Sequence, residues 1–136
     1  MSTPASLYDR AAQSYTDQSV GTAGPEALLL LCFDKALDSI AHAEAAMEEG
    51  GEDRIWESHR ALTKAQDIVS ELQLSLDHDR GGEIAGNLHA LYGFCLERLT
   101  EANLRKDPRG LGPVSAILSE LRGAFHEAAG ALKAAP

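Results

Sequence analysis

The chain has 136 residues and a mass of 14.5 kDa, enough for one domain and too little for two ordinary ones. Its apolar fraction of 44% excludes a disordered tail. Lys and Arg number 12 against 21 Asp and Glu, a net charge of −9 that repels phosphate backbones and anionic lipid surfaces, so neither nucleic acid nor membrane is an expected partner.

Ala (22) and Leu (19) dominate while Val, Ile and Thr are sparse, which favours helix over sheet. Residues 1–24 are polar, with Leu7, Tyr8, Tyr15 and Val20 as scattered apolar anchors. They read as an arm or a short helix resting on a body formed by residues 25–136. The opening MSTPASLYDR lacks a basic region followed by an apolar run, so no signal peptide is expected. The longest apolar run, residues 27–33, falls well short of the ~20 residues that span a bilayer. The expected location is the cytoplasm.

Gly24-Pro25-Glu26 is a helix start: glycine at the cap, proline in the first turn, and a carboxylate on the positive helix end. From there Leu29, Phe33, Ala36, Ile40, Ala43 and Met47 fall at spacings of four and three, widened by Leu28, Leu30 and Leu37, until Gly50-Gly51. A second helix opens near Asp53 with a seam of Ile55, Ser58, Leu62, Ala65, Val69, Leu72 and Leu76, with Ile68 on its flank. The stretch 77–82 reads as a break. A third helix runs from Glu83 to about Lys106 on Ala85, Leu88, Tyr92, Cys95, Leu99 and Ala102, flanked by Ile84, Leu91 and Leu96. Residues 107–112 have loop composition. Gly112-Pro113 then starts a fourth helix on Val114, Ile117, Leu121, Ala124, Ala128 and Ala131, flanked by Leu118, Phe125 and Leu132. Short connections force neighbours antiparallel, so the expected fold is all-α: an up-down-up-down four-helix bundle.

Catalytic and metal-binding patterns are missing. The residues three positions before the five histidines are Ser39, Trp56, Ser75, Gly86 and Gly123, so no Glu-x-x-His pair of a di-metal bundle exists. There is no HExxH, nucleophile elbow or phosphate loop. Gly81-Gly82 before a helix suggests an anion site, but Asp77, Asp79 and Glu83 oppose it. Asp34 and Asp38 read as a solvated acidic face, and His42, His59 and His89 as surface or seam-edge residues. Cys32 and Cys95 have no partner at metal-binding spacing and read as buried thiols in a reducing compartment. The chain is expected to be no enzyme and to hold no metal or cofactor.

The apolar residues exceed what one seam needs. Leu28 to Leu31 sweep most of a turn, and Ile84, Leu88, Leu91 and Tyr92 cover more than a narrow stripe. Something must cover the excess: the N-terminal arm, a second chain, or each in turn.

The residues Tyr15, Val20, Thr22, Ala23, Pro25, Leu28, Leu31, Phe33 and Asp34 resemble the opening of the FliS family, the flagellar secretion chaperones that bind flagellin. Ala65-Gln66, Ile68-Val69, Glu71-Leu72 and Ser75-Leu76-Asp77 resemble its second helix. Its most distinctive stretch is matched by Gly81-Gly82-Glu83-Ile84-Ala85-x-Asn87-Leu88-x-x-Leu91-Tyr92, followed by Leu99, Ala102-Asn103 and Asp107. The likeness covers about residues 15–125. Gly24, Phe33, Lys35 and Phe125 stand where the family often has Ser or Thr, Tyr, Gly and Trp, and Trp56 lies outside the pattern.

The resemblance implies a helical bundle whose client is the C-terminal segment of flagellin, disordered when free and wrapped along the chaperone when bound. The arm lies over part of the same surface and is moved aside. Holding the client keeps flagellin from polymerising early and delivers it to the flagellar type III secretion apparatus, without nucleotide. The expected groove residues are Tyr15 in the arm, Leu28 and Leu31 on the first helix, and Ile84, Ala85, Asn87, Leu88, Leu91 and Tyr92 on the third, with Asn87 bonding the client backbone. Two alternatives use the same faces: an adaptor binding another flagellar, export-apparatus or regulatory protein, and a structural homodimer.

Overall fold

Extended backbone at Gly24 leads into Pro25, whose ring fixes φ for the first helical turn, and helix α1 (Pro25–Glu49) follows. A computed structural model of the chain describes residues 24–134. Gly50 and Gly51, both with positive φ (70° and 96°), end α1 and turn the chain back. Helix α2 (Glu52–Leu74) opens with Glu52 and Asp53 on its positive end and stops at Ser75, whose hydroxyl donates to the Leu72 carbonyl at 2.9 Å. Asp77 then accepts the Arg80 N–H at 3.1 Å and caps helix α3 (His78–Arg105). After Lys106, in the left-handed region, Asp107 caps a 3₁₀ turn (Pro108–Gly110), and helix α4 (Leu111–Ala134) completes the order.

Each helix packs on two neighbours, α1 on α2 and α4, and α3 on α2 and α4. No strand occurs among the described residues. The expected all-α, up-down-up-down bundle is the observed one. It places the start of α1, the end of α2, the start of α3 and the end of α4 at one end of the molecule. The core consists of the stripe residues: Phe33, Ile40, Leu62, Val69, Cys95 and Leu99 are all fully buried. Burial of each large apolar side chain contributes about 1.5–3 kcal/mol.

Several expectations need correcting. Helix α3 starts at His78, because the stretch expected to be a break holds one helical turn and then a kink at Gly82 (φ 50°, ψ −122°). A Cβ on Gly81 would come within 2.8 Å of the Ala85 Cβ, so a glycine pair is what the kink requires. Gly82→Ala is expected to cost about 1–3 kcal/mol, since only glycine adopts this conformation without strain; urea denaturation measures it. Helix α4 starts at Leu111, earlier than expected, because Leu111 is wholly buried and anchors the turn beneath the bundle.

Ile55 is 49% exposed and lies off the α2 seam, whereas Ile68, expected on the flank, is buried. On α4 the inward line is Leu111, Val114 and Leu118, with Ala124 and Ala128 turned to solvent. The larger side chains decide which face goes inside, since burying an alanine gains far less. The side chains of Ala131 and Leu132 lie outside the described residues.

Candidate functional site: an apolar face along α3 and α4

The four seams of the bundle are closed in different ways. Between α1 and α2, His42 Nε2 meets Glu57 Oε1 at 2.7 Å. Between α2 and α3 runs a polar ladder: Gln66 donates to the Thr100 hydroxyl at 2.9 Å, His59 meets Asn103 at 3.1 Å, and Gln73 donates to the His89 carbonyl at 3.0 Å. Between α1 and α4, Arg122 makes two bonds to Asp34, at 2.6 and 3.2 Å, while Phe33 and Phe125 stack with centroids 5.7 Å apart. Asp34 is therefore an inter-helix partner as well as part of an acidic face.

The α3/α4 seam has no such fastening. Among the described residues no side-chain hydrogen bond or ion pair joins the two helices, and of the four adjacent pairs they approach each other least. The side chains of α3 separate accordingly. Ile84 is 70% exposed, Leu91 is 37% exposed, Asn87 is exposed, and Leu88 is half-buried against the core. Spacings of three and four put these four on one side of the helix. Ala85 and Tyr92, three residues before and four after Leu88, border this face on its inward edge, at 3% and 2% exposure. Expected among the groove residues, they stand behind the face and form its supporting wall. On α4, Ile117 and Leu121 are half-buried against the core.

Leu28 to Leu31 on α1 are all half-buried, none of them sealed inside. A run that sweeps most of a turn cannot place every member on one seam, so each is partly covered. Tyr15 lies outside the described residues. Two exposed apolar residues escaped the sequence reading, Leu74 at 75% and Leu104 at 80% exposure. Both sit off the three-and-four stripe of their helices, which was the available signal.

Burial pushes the Tyr92 hydroxyl up to about 12 and the Cys32 and Cys95 thiols up to about 11, leaving all three protonated at neutral pH. Among the described residues no group of three or more His, Cys, Asp or Glu is placed to hold a metal ion. No described helix is long and apolar enough to cross a membrane. Among the described residues the arrangement leaves apolar surface exposed on rigid helices, a surface suited to receiving an amphipathic segment.

Comparison with known proteins agrees with a binding role. A family model described as flagellar protein FliS matches residues 8–132. The flagellar secretion chaperone FliSB of Pseudomonas aeruginosa is 38% identical over 109 residues, covering 80% of this chain and 84% of that protein. The flagellar secretion chaperone FliS of Salmonella typhimurium is 34% identical over 117 residues, 85% of this chain and 84% of that protein. That of Bacillus subtilis is 32% identical over 115 residues, 85% and 83%. A match through all four helices, the Gly81-Gly82 kink and the apolar face places the chain in the FliS family of flagellar secretion chaperones.

Proposed function

We propose that this protein is a cytoplasmic export chaperone for flagellin, and that its client is the disordered C-terminal segment of that protein. The segment folds onto the α3/α4 seam, over Ile84, Leu88 and Leu91, and continues along the leucine run of α1 past Leu28 and Leu31. Asn87 bonds the client's backbone, while Ala85 and Tyr92 hold the face in shape from behind. The arm expected over residues 1–24, with Tyr15 in it, lies outside the described residues apart from Gly24. Occupancy prevents premature polymerisation and keeps the client unfolded for the flagellar type III secretion apparatus. The role needs no catalysis and no cofactor.

One observation carries the reading: the least fastened seam of the bundle is also where α3 leaves Ile84 and Leu91 uncovered. Ordering a floppy segment costs entropy, so binding requires a long apolar track of this kind. The net charge of −9 keeps a complex with an aggregation-prone client in solution. The names of the relatives supply the flagellar setting.

The test is calorimetric titration with a peptide from the C-terminal end of the host's flagellin, paired with far-UV circular dichroism. Saturable binding with a negative heat-capacity change and a gain of helical signal is expected. An absence of heat and spectral change, or tight binding of another flagellar protein while the flagellin peptide stays free, sinks the reading.

A further inference from the structure

The opposite side of the bundle, between α1 and α2, carries a cleft of about 480 Å³ with a different chemistry. Its floor holds the small, buried side chains of Ser39 and Ala61, which let the two helices form a furrow. Its walls carry Lys35, Arg60 and Lys64.

These three differ from the other cations with described side chains. Arg54, Arg80, Arg98, Arg105, Arg109 and Arg122 each sit on a carboxylate, and Lys106 bonds to Asn103. Lys35, Arg60 and Lys64 form no ion pair or hydrogen bond among the described residues. Nearby Glu57 is already engaged by Arg54 and by His42, leaving Asp38 as the one unengaged carboxylate in the cleft.

Two turns back along α1 from His42 stands Lys35, and two turns on along α2 from Glu57 stands Lys64. Because His42 and Glu57 touch, an antiparallel pair sets Lys35 level with Lys64 across the furrow. Like charges held level across a seam destabilise it unless something negative lies between them.

We infer that the α1/α2 cleft is a second docking surface, for an acidic helical segment of a partner protein whose carboxylates bridge Lys35, Lys64 and Arg60. On a chain with a net charge of −9, an acidic partner is repelled by the rest of the surface and attracted here, so this cleft sets both where and in what orientation it lands. Asp38 and the engaged Glu57 disfavour a compact phosphate dianion, whereas a peptide can place carboxylates on the cations and a neutral or basic side chain at Asp38. The surface lies away from the α3/α4 face, so a client and this partner can be held together.

The probe is a blocked, fluorescein-labelled Ala–Glu peptide of roughly 18 residues, long enough to be helical, with glutamates at four-residue spacing. It is titrated into the full chain by anisotropy and by amide chemical-shift mapping. Saturable binding is expected, with shifts confined to the cleft-lining parts of α1 and α2 and loss of affinity at about 0.5 M salt. The Lys35→Gln/Arg60→Gln/Lys64→Gln variant should bind about tenfold or more weakly, while Arg80→Gln on another face binds as the parent does. Lys64→Glu supplies an independent readout of opposite sign: peptide affinity falls while the free protein melts about 1–3 °C higher, because the level cations are replaced by a pair. Unchanged affinity in the triple variant, or shifts outside the cleft, overturns the inference. So does an equal response to inorganic phosphate, which makes it a small-anion site. A marked gain in affinity in the Asp9→Asn/Asp17→Asn chain also overturns it, by showing that the chain's own N-terminal segment is the occupant.

Discussion

Leu91→Asp should still fold, melting only a few degrees below the parent chain, yet bind the proposed flagellin segment about a hundredfold or more weakly. The side chain is 37% exposed, so in the free protein a carboxylate there stays solvated, and losing the buried part of the leucine costs about 1–2 kcal/mol. Once a client covers the face, the same carboxylate is taken out of water with no partner, a penalty of several kcal/mol. Ile84→Asp, at 70% exposure, should act in the same direction with even less effect on folding. Calorimetric titration beside a thermal melt separates the two quantities. Parent-like affinity in a folded Leu91→Asp protein removes α3 from the client site.

One residue further on, the expected outcome reverses. Tyr92 is 2% exposed and is among the largest fully enclosed side chains, so Tyr92→Ala opens a cavity in the core. The loss should be about 3–5 kcal/mol, or roughly 10–20 °C in melting temperature for a domain of this size. Urea and thermal denaturation measure it. A loss below about 1 kcal/mol contradicts the packing of α3 described above. A substitution at Tyr92 therefore reports on the fold, and one at Leu91 on the proposed client site, although both belong to the same distinctive stretch of sequence.

The contrast bears on how a bundle can carry a long binding face. Three seams are fastened by paired or stacked side chains, which hold α1, α2 and α4 and the inner side of α3 in fixed relation. Among the described residues the remaining seam rests on side-chain packing alone. A surface prepared in this way presents apolar anchors on rigid rods, so the ordering cost of binding falls on the client.

Much of this was legible beforehand. The stripes of α1, α2 and α3 were readable because large apolar residues recur at three and four, and Gly50-Gly51 and Gly24-Pro25 marked their ends through backbone chemistry that few other residues share. The fourth helix was harder: with Ala124 and Ala128 as stripe members, its pattern does not say which face is inside, and the bulk of Leu111, Val114 and Leu118 decides. The excess of apolar residues on α1 and α3 was countable, but counting does not sort them. Ala85 and Leu88, or Leu91 and Tyr92, look alike as neighbours on a list of hydrophobes.

By itself, then, the order of residues determined the helix class, the number of rods, their antiparallel run and the presence of more apolar surface than one core absorbs, because each depends on local periodicity or on short connections. Tertiary structure alone decided which of those residues face solvent, since that depends on how closely α4 approaches α3. It alone also brought Lys35 level with Lys64, because two lysines on separate helices acquire a common environment only when the helices pack in one register.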